Sequence, residues 1–208
     1  MSKIAYRNFE TSKDDFRALR GENDEMIIEG YAALYNVKSR LISERGKVFY
    51  EIIEPGAFSE HLQDDVIYTY NHAPDKVMAR TLNGTLTLSE DEKGLKFRAI
   101  LNNTNDSKDL YERISRGDIF ENSFGFRESA DSSSIRVEQA SDGYPVRKIL
   151  RFERLFDVSS VVRAAYPQTS VYVRELDEEK DDTPEINNKH NSEKFKRLTE
   201  VLKLKNFN

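Results

Sequence analysis

The sequence of 208 residues contains no cysteine and no tryptophan. Without cysteine there are no disulfide bonds, no zinc sites with thiolate ligands and no cysteine nucleophile, so a nucleophile must be of another residue type. The longest unbroken apolar run is residues 31–35, far short of the roughly 20 residues that span a bilayer. The polar N-terminal sequence also lacks the apolar segment of a signal peptide. We therefore expect a soluble protein that is not secreted by that route and does not contact membranes.

Positive charge is outweighed by negative charge, with 32 Lys and Arg against 37 Asp and Glu. A surface that binds nucleic acid needs clustered basic residues, so the net charge of −5 argues against a nucleic-acid partner. The histidines and nearby aspartates do not show a recognised metal-ligand spacing, and no glycine-rich phosphate loop follows a predicted strand. We expect neither a metal nor a nucleotide cofactor.

The charge pattern divides the chain near residue 175. Residues 175–191 contain seven acidic and two basic residues and almost no large apolar side chains. This composition is typical of a flexible linker, because such a segment cannot offset its ordering entropy by burial. Residues 192–208 place apolar side chains at helical spacing among basic residues, which predicts a short amphipathic helix. Residues 1–174 are then the main domain.

The main domain is predicted to be mainly β, of the α+β class, because a period of two dominates its apolar pattern. The clearest element is a hairpin formed by residues 86–99. Further strands are predicted at 26–35, 48–53, 66–70, 119–127, 135–137 and 146–162, the last of which is long enough to bend or break. One helix is predicted at 107–116, capped by Asp106 and ended by Gly117, and a shorter one after Gly56. Many short strands with few helices favour a barrel or a sandwich.

The three histidines are the natural candidates for a base that titrates near neutral pH. His190 falls in the acidic linker, where a solvated side chain explains it. His61 falls on the predicted short helix beside Asp64, where an ion pair or a satisfied imidazole explains it. His72 follows a strand at the point where alternation stops, and strand ends are where a rigid backbone meets an open rim. His72 is therefore the best placed of the three.

Two further side chains complete a candidate site. Alternation along 119–127 places Ser123 on the face opposite Phe124, with Gly125 leaving the space beside it open; an ordinary outward serine next to a glycine is the alternative. Alternation along 146–162 sets Asp157 among apolar residues, where a carboxylate needs a partner. That partner is either a histidine that Asp157 would orient or one of the many arginines.

Six blocks occur in an order that resembles a known family. They are EGYAALYN, VFYEIIEPGAF, DVIYTYNHAPD, GTLTLSEDEKGLKFRAIL, IFENSFGF and LFDVSSVVRAAYPQTSV. Together they are similar to the prohead (capsid maturation) proteases of tailed phages, which are relatives of the herpesvirus assemblins. The resemblance covers about residues 26–174.

The resemblance implies a catalytic role for residues that the alternation also favours. It places the base at His72 and the nucleophile at Ser123. The assemblins use a second histidine as the third member, whereas the phage branch favours an acidic residue, so Asp157 is preferred here and His61 is the alternative. The oxyanion would be stabilised by backbone N–H groups near Phe124 and Gly125 or by Arg163, and the sequence does not choose among them.

The resemblance also implies a compact, assemblin-like β-barrel flanked by a few helices. It implies a serine endopeptidase that cleaves scaffold and major capsid protein, and its own chain as a further candidate, inside the prohead in the bacterial host cytoplasm. Two alternatives stay open: a non-catalytic capsid-assembly module that binds scaffold through the C-terminal helix, and a hydrolase of small esters. The same helix could instead pack on its own domain or pair with a second copy in a homo-oligomer.

Overall fold

The computed structural model describes residues 4–10, 15–44 and 46–162. The predicted linker at 175–191, the predicted helix at 192–208, Arg163 and His190 lie outside these residues. In the described part of the chain, no helix is long and apolar enough to cross a bilayer.

Strands dominate the described residues, which contain a single α-helix. In chain order the strands are β1 (Ala5–Glu10), β2 (Phe16–Arg20), β3 (Met26–Leu34), β4 (Ile42–Glu44), β5 (Lys47–Ile53), β6 (Ile67–Tyr70), β7 (Ala79–Arg80), β8 (Leu86–Glu90), β9 (Gly94–Ile100), β10 (Glu121–Glu128), β11 (Ile135–Gln139), β12 (Pro145–Ile149) and β13 (Phe152–Val161). The helix α1 (Asn105–Arg116) connects β9 to β10. The mainly β class predicted from the alternation is confirmed.

The strands form three sheets. One has five strands in the order β1-β10-β13-β6-β7, and the others have the orders β11-β12-β5-β4 and β2-β3-β9-β8. Within the described residues each sheet ends in edge strands, so the predicted closed barrel is not found. Alternation along a strand shows which face is buried, but it carries no information on whether the last strand pairs with the first.

Several predicted elements are confirmed with small corrections. β8 and β9 form the antiparallel hairpin, and the region 146–162 breaks into β12 and β13. The helix α1 ends at Gly117, which has a left-handed φ of 80°. Its N-cap, however, is Thr104 rather than Asp106, and the Thr104 side chain accepts a hydrogen bond from Ser107 N–H. The predicted short helix after Gly56 is a 3-10 turn at Ser59–His61.

A register shift between β10 and β13 places one extra residue on β13. Gly125 is opposite Asp157, but the next residue, Phe126, is opposite Leu155. Phe156 is therefore the extra residue of a bulge. It is only half-buried, and the guanidinium groups of Arg127 and Arg154 lie over its ring.

An aromatic cluster supports the five-stranded sheet from one side. Phe58 is fully buried and stacks on Phe152, with ring centroids 4.8 Å apart, and it meets Phe124 edge to face at 5.1 Å. Phe126 in turn packs against Phe124 and Phe152. Aromatic rings bury large areas and interlock in fixed geometries, so this cluster holds β10 and β13 firmly from the core side.

Replacement of Phe58 by alanine should remove the centre of this cluster. We expect Phe58→Ala to lower the free energy of unfolding by about 3–5 kcal/mol, because a buried phenyl ring leaves a cavity when it is truncated. Urea denaturation measures the change. Leu82→Ala is the control, because Leu82 is 74% exposed and its truncation should cost far less. Equal losses for the two variants would contradict the assigned packing.

Candidate active site

Two paired strands, β10 and β13, and the turn after a third strand, β6, bring the candidate side chains together. Ser123 on β10 is directly opposite Ser159 on β13, which is opposite Thr69 on β6. Gly125 and Asp157 form the adjacent pair on the same face. Since residues paired across strands point to one face, this polar row lies on the side away from the aromatic cluster.

His72 reaches this face through an unusual turn. β6 ends at Tyr70, and the next two residues, Asn71 and His72, have positive φ angles of 52° and 56°. The turn is held by Asn71, whose N–H donates to the Ser160 carbonyl and whose side-chain oxygen accepts from Val162 N–H. Left-handed backbone is uncommon outside glycine and tends to occur where surrounding contacts enforce it.

A continuous chain of hydrogen bonds joins the three candidate residues. His72 Nδ1 lies 2.6 Å from Asp157 Oδ2, and His72 Nε2 lies 2.7 Å from Ser123 Oγ. Because a carboxylate only accepts, the ring proton belongs on Nδ1, and Nε2 is left to accept the Ser123 hydroxyl proton. The arrangement can therefore activate a hydroxyl nucleophile and stabilise the imidazolium that results.

The Asp157 carboxylate is buried beside Gly125. A Cβ atom on Gly125 would overlap with Asp157 Oδ1, and it would lie 2.8 Å from the Tyr6 ring. The space beside Gly125 is thus filled by Asp157 and Tyr6, which corrects the expectation that it lies open. Among the described residues, Asp157 makes no ion pair with arginine or lysine, and Oδ2 accepts from His72 and, at 3.3 Å, from the Thr69 hydroxyl.

Tyr6 on β1 covers the imidazole from the solvent side. Its ring centroid lies 4.1 Å from that of His72, with the planes tilted by 45°. Burial, together with the negative charge of Asp157, raises the pKa of the Tyr6 phenol above its usual value. The phenol therefore stays neutral at physiological pH and adds no charge beside the histidine.

The three residues differ in their exposure. Ser123 is fully buried, Asp157 is 6% exposed, and the side chain of His72 is 16% exposed. Low exposure strengthens the interaction between the imidazole and the carboxylate, because water does not screen it.

His61 does not join this group. Its Nδ1 lies 2.9 Å from Asp64 Oδ2, and its Nε2 lies 3.0 Å from the Phe152 carbonyl oxygen. Asp64 Oδ2 also accepts from Leu155 N–H. Both ring nitrogens are thus used to tie the 3-10 turn to β13, and the structure brings Asp157, not His61, to His72.

Three neighbours of the site did not emerge as candidates from the sequence. They are Tyr6, Thr69 and Ser159. The sequence held a signal for two of them: Ser159 has the same parity as Asp157, and Thr69 lies three residues before His72 in the same block. Tyr6 lies on a strand that the apolar pattern did not predict, and its place depends on the pairing of β1 with β10.

The backbone of β10 is paired on both edges. Tyr6 is opposite Gly125 on one side, and Asp157 is opposite Gly125 on the other. Backbone N–H groups of a paired strand lie in the plane of the sheet, so those of Phe124 and Gly125 face the neighbouring strands rather than the face with Ser123. The other oxyanion candidate, Arg163, is outside the described residues.

Metal-ligating side chains do not cluster in the described part of the chain. No group of three or more histidine, aspartate or glutamate residues is placed there to hold a metal ion.

Comparison with protein-family models agrees with the resemblance seen in the sequence. No curated protein matches the chain. Among solved structures, the capsid assembly protease of bacteriophage T4 is similar, with a TM-score of 0.45 and 11% identity over 76% of this chain and 97% of that chain. The family model for caudovirus prohead serine proteases matches residues 8–183. Since this match covers most of the sequence, the chain belongs to the caudovirus prohead serine protease family.

Proposed function

We propose that this protein is a serine endopeptidase in which Ser123 is the nucleophile, His72 the general base and Asp157 the residue that orients and stabilises the imidazole. The observation that carries the proposal is the unbroken hydrogen-bond chain from Asp157 Oδ2 through His72 to Ser123 Oγ. Membership of a serine protease family supports the same chemistry.

The proposed reaction begins when Ser123 Oγ attacks a peptide carbonyl carbon. His72 Nε2 takes the hydroxyl proton as the C–O bond forms, and the imidazolium is stabilised by Asp157. The same proton then passes to the leaving amine, and an acyl-enzyme on Ser123 remains. A water molecule, deprotonated by His72, attacks the ester, and the hydroxyl of Ser123 is restored.

The proposed substrates are segments of scaffold and major capsid protein, with the chain itself as a further substrate. The family description, a prohead serine protease of tailed phages, supports this substrate class. The reaction would then take place inside the assembling prohead in the cytoplasm of the bacterial host, and the predicted C-terminal helix would dock the enzyme there.

The burial of Ser123 limits the access of a substrate to its hydroxyl. Because its hydroxyl is fully buried in this conformation, a peptide carbonyl reaches it only after neighbouring groups move aside. Tyr6, which lies over His72 and is 46% exposed, is one such group. Binding of an extended substrate segment would supply the free energy for this opening.

Removal of the nucleophile is the direct test of the proposal. We expect Ser123→Ala to lower cleavage of scaffold by roughly 10⁴- to 10⁶-fold, because residual activity without a nucleophile is small. The measurement is mass spectrometry of scaffold and major capsid protein after coexpression with the full chain. Ser134→Ala, which truncates a buried serine outside the site, should cleave normally.

The outcome also separates the alternatives. A fluorophosphonate probe should label the wild-type chain at Ser123 and leave Ser123→Ala unlabelled. If neither protein were labelled and neither cleaved scaffold, the non-catalytic assembly module would be favoured. Labelling with turnover of esters but not of peptides would favour the small-ester hydrolase.

The identity of the third residue is tested by a pair of variants. Asp157→Asn should lower kcat by roughly 10³- to 10⁴-fold, because an amide favours the wrong imidazole tautomer, as it does at the corresponding aspartate of known serine proteases. His61→Asn should instead lower the free energy of unfolding by about 1–3 kcal/mol, because the buried Phe152 carbonyl and the partly buried Asp64 carboxylate lose their donor. It should keep kcat within a few-fold. A large loss of kcat in a folded His61→Asn protein would reverse the assignment.

Gly125 should be intolerant of any side chain. We expect Gly125→Ala to displace the Asp157 carboxylate and to lower kcat by about 10²-fold, since a shift of about 1 Å at a catalytic group has that effect. Gly46→Ala is the control: it puts a methyl group at a positive φ of 74° in open space, at a cost of about 1–2 kcal/mol in stability with no effect on kcat. Full activity of Gly125→Ala would show that Asp157 does not need its observed position.

A further inference from the structure

Ser159 lies next to the triad without being part of it. We propose that Ser159 is a positioning residue, whose hydroxyl fixes the backbone of His72 so that the imidazole spans Asp157 and Ser123. The proposal rests on the proposed function, because it concerns the same site.

The hydroxyl of Ser159 has a defined set of partners. It accepts a hydrogen bond of 2.9 Å from the backbone N–H of His72, and it donates one of 3.1 Å to the carbonyl oxygen of Thr69. Ser159 is fully buried; its bond to Thr69 is buried, and its bond to His72 is partly buried. One hydroxyl therefore links the last part of β6 to the turn that follows it.

The hydrogen bond to Ser159 is made by a residue whose backbone conformation is unfavourable. His72 has a φ of 56°, a conformation that residues with a side chain adopt only when their surroundings enforce it. The bond from its N–H to Ser159 keeps the peptide in that orientation. Without the hydroxyl, the partly buried N–H would lose its partner, and the turn could relax toward a conformation that withdraws the ring from Ser123.

Thr69 extends the link to the carboxylate. Its Oγ1 lies 3.0 Å from Ser159 Oγ and 3.3 Å from Asp157 Oδ2. Thr69 is also fully buried and lies directly opposite Ser159 in the β6 and β13 pairing. The backbone of His72 and the carboxylate that holds its ring are thus both tied to one pair of hydroxyls.

The adjacent residue is a matched control. Ser160 is also fully buried, but its hydroxyl lies 2.5 Å from Tyr68 OH and 3.1 Å from Asn122 Oδ1, in a separate cluster on the opposite face of the sheet. Replacing either Ser159 or Ser160 by alanine removes the hydrogen bonds of a buried hydroxyl. Only removal of the Ser159 hydroxyl should change the triad.

The experiment compares Ser159→Ala, Ser159→Thr and Ser160→Ala in the full chain. A fluorophosphonate probe is titrated to separate the maximal rate of labelling of Ser123 from the half-saturating concentration. Proton NMR follows the His72 Nδ1–H that bonds Asp157. We expect Ser159→Ala to label about 10- to 100-fold more slowly at saturation, with an unchanged half-saturating concentration and a broadened Nδ1–H signal. Ser159→Thr, which keeps the hydroxyl, should recover much of the rate, and Ser160→Ala should behave as wild type.

The outcomes are distinct. A Ser159→Ala protein with the wild-type labelling rate and a sharp Nδ1–H signal overturns the proposal, as does an equal slowing in Ser160→Ala, which would indicate a general loss of packing. If Ser159→Ala does not fold, Ser159→Cys fills the space with a weakly bonding group and should show the same slowing. If the wild-type chain is not labelled at all, the proposed catalysis fails, and the Nδ1–H signal alone still decides whether Ser159 holds His72.

Discussion

The pairing of β10, β13 and β6 is the constraint on which the rest of the site depends. Strand pairing sets Ser123 opposite Ser159 and Ser159 opposite Thr69, and it sets Gly125 opposite Asp157. A slip of one residue in either pairing would turn these side chains to the other face. The bulge after Gly125 matters for the same reason, because it lets Asp157 face the site while Leu155 remains in the core.

The two faces of the five-stranded sheet carry different kinds of side chain. On one face, aromatic rings such as Phe124 and Phe152 interlock and leave β10 little freedom to move. On the other, hydroxyls, an imidazole and a carboxylate are linked by short hydrogen bonds. A catalytic group must be held within a fraction of an ångström, and side chains on packed strands are held more closely than those on loops. Packing on the apolar face thus fixes the positions of the side chains on the polar face.

His61 and His72 show how the surroundings decide what a histidine does. Both are near a carboxylate, with Asp64 and Asp157 at 2.9 and 2.6 Å. The second nitrogen of His61 meets a backbone carbonyl, which cannot give up a proton, so the ring acts as a structural tie. The second nitrogen of His72 contacts the Ser123 hydroxyl, which can give up a proton. The two histidines therefore differ in the group that the second ring nitrogen contacts, and not in the pairing of histidine with carboxylate.

The sequence by itself determined the mainly β class and the hairpin of β8 and β9, because period-two alternation is a local pattern. Together with the six blocks, it also singled out His72, Ser123 and Asp157 as candidates, with His61 as the alternative to Asp157. Only the tertiary structure decided that Asp157 rather than His61 meets His72, that the space beside Gly125 is filled, that Tyr6 covers the imidazole, and that the described strands form open sheets. Each of these depends on contacts between residues far apart in the chain, such as the 85 positions between His72 and Asp157. Alternation assigns a side chain to a face of its own strand, but the partner strand and its register are set by the packing of the whole domain.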